Sequence, residues 1–422
     1  MPEDLHSIAG KFGWTEFGAL RRDTLLLWTL QVFYRLSGII VLIVLSRKLS
    51  TEDIGIFFFA LSLAESLLVV ASFSLDSVMM RRVAADPDHA SRYISSLLGF
   101  RLYSSPAYLA CIFLASLILA RQIWPVILTV GIFVLAENVY YSLFNFFIAL
   151  KNVLGNILIG ISVQILFMLL FLVGMWWAPS LRTFLGANLI RSFCLLVATS
   201  LLAYRWIRGW QPAVTGAFLK EGVPFLLLTA IALLQEKVDV LLLGLLTDYQ
   251  AVAHYSLALR VTIALTFIPI AMGTACFPHL AADKTGHRSK FILIRGVVIL
   301  GGVGLAATAV GYLGAVPLTV LLYGGLSGKV SVLLKPLSLL FPIQFLAFFL
   351  TLSLQALKRE KQALLAQVVG TASSVLLNFF LIPMLSIYGA IIAKLLSSFL
   401  QLLLLAAYLR RLDLVAAPQE HA

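Results

Sequence analysis

The stretch LLLWTLQVFYRLSGIIVLIVL, from Leu25 to Leu45, decides the fold class. It holds one charged residue, Arg35, and contains no proline. Its length matches the roughly 20 apolar residues a helix needs to cross the hydrocarbon core of a bilayer. A transmembrane β-strand would read instead as a short segment of alternating polarity.

Working outward, the whole chain has the same character. Of 422 residues, 61% are hydrophobic and 12% are charged, against about half and a quarter in a soluble domain. The mean hydropathy is +1.00. Such a chain cannot hide its apolar side chains inside a water-facing globule. In lipid, every backbone polar group must be satisfied internally, which selects helices. The apolar runs fall at 24–46, 54–76, 93–119, 124–148, 154–177, 184–206, 219–246, 254–277, 291–322, 331–357, 362–383 and 388–409. They predict an all-α membrane protein of about twelve transmembrane helices. Short polar breaks such as Ser50-Thr51-Glu52-Asp53 and Ala85-Asp86-Pro87-Asp88 separate them. Cys111, Cys194 and Cys276 each fall inside a run, which argues against a disulfide framework.

The expected organisation is a cytoplasmic N-terminal segment over 1–23, an N-lobe over 24–210, a C-lobe over 211–412 and a cytoplasmic tail over 413–422. The first run is too long for the apolar core of a cleavable signal peptide. Before it, Leu5, Ile8, Phe12 and Leu20 recur at helical spacing. They fit an amphipathic helix on the membrane surface or a disordered tail.

The net charge of +12 invites a nucleic-acid reading, but its distribution speaks for a membrane. Loops on the cytoplasmic side retain Lys and Arg. With the N-terminus inside, the outside loops hold only Arg47, Lys48, Arg121, Arg182, Lys329 and Lys335. The inside loops hold about three times as many. Both termini are therefore expected in the cytoplasm, with no nucleic-acid partner.

The remaining bases lie within the runs: Arg35, Arg101, Arg191, Lys237, Arg260 and Lys394. A charge at bilayer depth costs about 2.5–3.5 kcal/mol on insertion scales, so it usually faces water or a partner. Arg101, near the inner end of its helix, is expected to snorkel to the interface. The acids at depth are Glu65, Asp76, Glu137, Glu236 and Asp239. Each is a candidate for H⁺ or Na⁺ coupling or for a structural ion pair. Glu236 and Asp239 are three apart, which places them on one helical face, with Lys237 turned away. Polar residues also recur at turn spacing, as in Gln367, Thr371, Ser374 and Asn378, or Lys394, Ser397, Ser398 and Gln401. Such stripes pack helix against helix or line a cavity.

The two halves resemble each other. Ile54-Gly55-Ile56-Phe57 with Ala60-Leu61 matches Val252-Ala253-His254-Tyr255 with Ala258-Leu259, and Ala149-Leu150-Lys151 matches Ala356-Leu357-Lys358. With six helices per half, such repeats would be related by a pseudo-twofold axis along the membrane normal.

Gly324-Gly325-Leu326-Ser327-Gly328-Lys329 hints at a phosphate-binding loop, but Tyr323 stands where the first glycine is needed and Val330 where Ser or Thr is needed. The chain has no segment for a nucleotide domain, and no metal site or cofactor is expected.

Several segments together resemble the polysaccharide repeat-unit flippases, the O-antigen type transporters of the multidrug/oligosaccharidyl-lipid/polysaccharide (MOP) superfamily. They are Arg35-Leu36-Ser37-Gly38, Ser46-Arg47-Lys48-Leu49-Ser50, Val238-Asp239-Val240-Leu241-Leu242-Leu243-Gly244, Tyr255-Ser256-Leu257-Ala258-Leu259-Arg260, Phe277-Pro278, and Leu377-Asn378 with Leu381-Ile382-Pro383. The resemblance implies two six-helix lobes and alternating access. The implied activity moves an undecaprenyl-pyrophosphate-linked oligosaccharide from the cytoplasmic to the periplasmic leaflet of a bacterial inner membrane, for O-antigen, capsule or exopolysaccharide. It implies a cationic cavity, in which Arg35 and Arg260 meet the head group and Lys394 and Arg191 serve the head group or an acidic sugar. Membrane lipids, a glycan polymerase and chain-length proteins are the implied partners of a monomer. An early aspartate of the related lipid II flippases has no clean match, since Glu52 and Asp53 are displaced from it. H⁺, Na⁺ or uncoupled transport therefore all stay open.

Two other readings compete. A cation-coupled multidrug exporter of the same superfamily would need an acidic, aromatic site. A membrane glycosyltransferase or polymerase would need acids in an outer loop, where Glu52 and Asp53 stand.

Overall fold

The computed structural model describes residues 14–207, 216–282 and 287–415. Among them there are helices and turns and no strand. The chain order is α1 (Trp14–Lys48), α2 (Thr51–Ser72), α3 (Leu75–Ala85), α4 (Ala90–Leu119), α5 (Trp124–Ala149), α6 (Leu154–Trp177), α7 (Leu181–Ile207) and α8 (Gly216–Leu246). It continues with α9 (Tyr249–Ala264), α10 (Phe267–Ala282), α11 (His287–Leu313), α12 (Ala315–Tyr323), α13 (Ser327–Leu337), α14 (Leu340–Ala356), α15 (Glu360–Leu385) and α16 (Ile387–Val415). Eleven helical segments among the described residues are long and apolar enough to cross a membrane. The predicted runs 219–246 and 331–357 are helical too. The first lies within α8, which carries Lys220, Glu221, Glu236, Lys237 and Asp239, and the second spans most of α13 and all of α14.

The apolar surface is turned outward, as a bilayer requires. Trp177 is 84% exposed and Leu313 is 81% exposed. The Ser and Thr stripes face inward. Thr371, Ser374 and Asn378 of α15 and Ser397 and Ser398 of α16 are all buried. Small hydroxyl residues at such faces let helix backbones approach closely.

The chain divides into two compact units, Met1–Lys48 with Leu67–Leu226, and Leu49–Ser66 with Leu227–Ala422. Most of α2 therefore belongs with the second unit, and α8 passes from one unit to the other after Leu226. The first unit has a core built on Leu75, Val78, Met79, Ile94, Leu97, Leu143, Phe146 and Phe147. The second has one built on Leu300, Phe341, Phe345, Phe349, Leu354 and Leu405.

The internal repeat shows itself in the helix caps. Ser50 caps α2: its hydroxyl accepts the Asp53 amide at 3.1 Å and donates to the Asp53 carboxylate at 2.7 Å. The hydroxyl thus satisfies one of the amides left unpaired at the helix start. Asp248, related to Ser50 as Val252 is to Ile54, caps α9 by accepting the Ala251 amide at 2.7 Å. The far ends match as well. Lys151 and Lys358 both take the left-handed conformation, with φ of 55° and 59°. The amide after each reaches back five residues, Asn152 to the Phe147 carbonyl at 3.0 Å and Arg359 to the Leu354 carbonyl at 2.8 Å. This closure usually uses glycine.

Four predicted runs are interrupted, 254–277 between α9 and α10 and 331–357 between α13 and α14 among them. The run 54–76 breaks at Phe73 and Ser74, both left-handed, with φ of 45° and 51°. The carbonyl of Ala71 beside the break accepts Arg101 Nη1 at 2.7 Å and Ser104 Oγ at 3.0 Å. The run 291–322 ends as α11 at Leu313, and Gly314 turns the chain into the short α12. Gly324, with φ 55°, ends α12. The phosphate-loop look-alike covers this turn and the start of α13. The predicted surface segment lies outside the described residues through residue 13, and Leu20 is part of α1.

Gly55 marks the tightest helix crossing of the second unit. A Cβ there would overlap the backbone carbonyl of Tyr249, at the start of α9. Backbone cannot swing aside as a side chain can. Gly55→Val is therefore expected to destabilise by about 1–3 kcal/mol. A lowered melting temperature in detergent and loss of the monodisperse peak on size-exclusion chromatography would report it.

Candidate functional site

The first unit holds two charged clusters at membrane depth. In one, Arg101 of α4 is 2% exposed. Its Nη2 donates to Asp76 at 2.6 Å and to Ser142 Oγ at 3.0 Å, while Nη1 binds the Ala71 carbonyl. The snorkelling expected for Arg101 does not occur. The α2–α3 break offers a bare carbonyl and a carboxylate deep in the unit, and these outcompete the interface for the guanidinium. Asp76 is thus an ion-pair partner.

In the second cluster Arg191 of α7 pairs with Glu137 of α5. Ser192 donates to the same carboxylate at 3.0 Å. The Arg191 guanidinium also stacks 5.2 Å above the Phe167 ring. Tyr34 and Tyr140 bring their hydroxyls together beside Gly160, where a Cβ would meet both. Arg35, the next residue of α1, is exposed.

The second unit is organised around Asp239 of α8, which is wholly buried. Its Oδ2 accepts the Tyr255 hydroxyl at 2.6 Å and lies 3.0 Å from Lys394 Nζ. Its Oδ1 accepts the Val240 amide at 2.9 Å. Lys394 also donates to the Gln235 carbonyl at 3.1 Å, and Gln235 Nε2 donates to Gln401 at 2.6 Å. One carboxylate therefore ties α8, α9 and α16 together.

Two residues before Asp239 on α8, Lys237 lies between two acids, 2.6 Å from Glu65 of α2 and 2.7 Å from Glu236. The expectation that Lys237 turns away from a shared Glu236–Asp239 face is corrected. The Glu236 side chain is 56% exposed, whereas Asp239 is inside. Positions three apart on a helix differ by about 60° in direction, enough to separate surface from core. The long lysine stem then reaches back to its neighbour.

Arg260 of α9 stands apart from these networks. Its guanidinium lies 5.3 Å from the centroid of the Phe58 ring, and the residue is exposed. Among the described residues it meets no carboxylate. Arg35 belongs to the first unit and Arg260 to the second. Lys394 and Arg191, read as further head-group contacts, are held by Asp239 and Glu137. Tyr255 and Gln235 escaped sequence reading as partners, because a tyrosine and a glutamine in an apolar run carry no signal of their own. Among the described residues no three His, Cys, Asp or Glu side chains come together as a metal site would require.

Long apolar helices with charges paired in their interiors define a polytopic membrane protein. The fold is similar to the lipid II flippase MurJ in an inward closed conformation, with TM-score 0.74 and 12% identity over 92% of this chain and 87% of that one. It is also similar to an inward-facing MATE multidrug resistance transporter of the MOP superfamily, with TM-score 0.64 and 12% identity over 92% and 96%. A third similar structure is a MOP superfamily transporter of Pyrococcus furiosus, with TM-score 0.61, 15% identity and coverage of 94% and 95%. The chain belongs to the polysaccharide biosynthesis protein family, which matches residues 20–283. It is 28% identical over 169 residues to the probable flippase AglR of Haloferax volcanii, a match covering 38% of this chain and 34% of that protein. The matched stretch thus spans about a third of the relative's length.

Proposed function

We propose that the protein is a flippase that moves a lipid-linked oligosaccharide from one leaflet to the other by alternating access. The cargo is an undecaprenyl-pyrophosphate-linked repeat unit for O-antigen, capsule or exopolysaccharide. The site of action is a bacterial inner membrane, with both termini cytoplasmic. A polymerase and chain-length proteins then take up the product.

The observation that carries this reading is the distribution of charge at membrane depth. Asp76, Glu137, Asp239, Glu65 and Glu236 each lie beside a base. Arg260 is exposed and has an aromatic ring as its partner. This exposed cation therefore suits an anionic cargo, since guanidinium stays protonated and binds phosphate through two parallel hydrogen bonds. The family and the flippase relative support the same reading. The MATE-like fold keeps a multidrug exporter in view, but Asp76, Glu137 and Asp239, each paired with its own base, offer an organic cation little. The glycosyltransferase reading loses Asp53, which serves the cap of α2.

Reconstitution separates these readings. Proteoliposomes should expose a fluorescent undecaprenyl-pyrophosphate oligosaccharide to an external lectin or reductant faster than empty vesicles do. They should not accumulate ethidium under an imposed H⁺ or Na⁺ gradient. Ethidium uptake without glycolipid movement would make the exporter reading correct.

A further inference from the structure

On the flank of the first unit, a groove of about 500 Å³ opens where α5 and α7 end and α6 begins. Its polar rim is formed by Asn152, Arg205 and Trp206, and its wall by Phe147, Leu201 and Leu202. None of the charged clusters described above touches it.

The rim is built rather than incidental. The Trp206 ring packs edge-on against Phe146 and Phe147, at centroid distances of 5.8 and 5.5 Å. The Trp206 carbonyl accepts the Ser91 hydroxyl. On this fixed ring lies the Arg205 guanidinium, 3.7 Å from the centroid. Asn152 follows the left-handed Lys151, and its amide is spent on the Phe147 carbonyl. Asn152 is exposed at this rim, next in the chain to the exposed Lys151.

No Asp or Glu occurs between Glu137 and Glu221, whereas Lys151 and Arg205 lie in that interval. Below the rim, Leu201 and Tyr204 are 70% and 61% exposed. Tyr and Trp beside exposed Leu is the composition of a membrane–water interface. A ligand here would meet a cation and an amide at head-group depth and apolar wall beneath.

We infer that this groove binds one anionic glycerophospholipid, its phosphodiester on Arg205 and Asn152 and its acyl chain along Leu201, Leu202 and Tyr204. One guanidinium and one amide match a single phosphodiester, and the pocket volume suits a small head group. A pyrophosphate carrying several sugars is larger on both counts. The site is independent of the cargo proposed above.

Native mass spectrometry of the full chain, with dioleoyl phosphatidylglycerol and dioleoyl phosphatidylcholine added in equal amounts, tests this. One phosphatidylglycerol is expected to stay bound preferentially. Arg205→Gln should lower its retention about tenfold, as expected for removing one charge-assisted hydrogen bond. Arg205→Lys should keep part of it, and Arg182→Gln, at the opposite end of α7, should leave it unchanged. Gly155→Leu should also lower retention, because a side chain there pushes on Leu202 and into the groove. Equal retention of the two lipids would overturn the inference, as would retention in Arg205→Gln equal to wild type. Displacement of the lipid by an equimolar amount of undecaprenyl phosphate or of inorganic phosphate would overturn it too. Melting curves of each variant keep a folding defect from passing as a binding defect.

Discussion

Arg260→Ala is expected to slow translocation of the lipid-linked oligosaccharide by about tenfold to a hundredfold while leaving membrane abundance and melting temperature near wild type. A hydrogen bond to a charged group is worth about 1.5–3 kcal/mol, and each 1.4 kcal/mol is about a factor of ten. The cost to folding is small, because the protein itself gives up only an exposed cation–π pair with Phe58, worth about 0.5–1 kcal/mol. Arg260→Lys should recover part of the rate, since lysine keeps the charge without the planar fork. Lectin accessibility of the glycolipid in proteoliposomes measures the rate, and glycan export in cells measures its consequence. Transport at the wild-type rate with Ala at this position would remove the head-group role.

The second large effect falls on stability. Asp239→Ala leaves the Lys394 ammonium, 8% exposed, with no carboxylate and the Tyr255 hydroxyl with no acceptor. Removing one partner of a buried ion pair costs about 3–5 kcal/mol. Replacing both partners with apolar residues of similar size is often neutral. Asp239→Leu combined with Lys394→Met should therefore melt well above Asp239→Ala alone. Thermal unfolding in detergent makes the comparison. The double variant also tests coupling. If it folds and still transports at the wild-type rate, the pair braces α8, α9 and α16. If it folds and fails to transport, Asp239 is a coupling group.

The long apolar helices were legible because length and hydropathy alone determine them. Leu25–Leu45 and Leu154–Trp177 needed no tertiary knowledge. The interruptions were not legible, because left-handed Phe73 and Ser74 are set by what Arg101 and Ser104 offer to the Ala71 carbonyl, and those residues come from another helix. The existence of charges at depth was plain in the sequence, yet their pairing was not. Lys394 meets Asp239 across more than a hundred residues of chain, and nothing local announces it. Lys237 shows the opposite failure. Spacing on a helical wheel separated it from Glu236, and a flexible four-carbon stem ignored the wheel.

The matched C-terminal stops of α5 and α14 bear on ancestry. A lysine in the left-handed region is an awkward way to end a helix, and independent invention of the same awkward solution at corresponding places is a poor explanation. Duplication of a half-length precursor accounts for it directly. Charges confined to one unit, such as Asp239 with Lys394, then mark where the two copies have diverged.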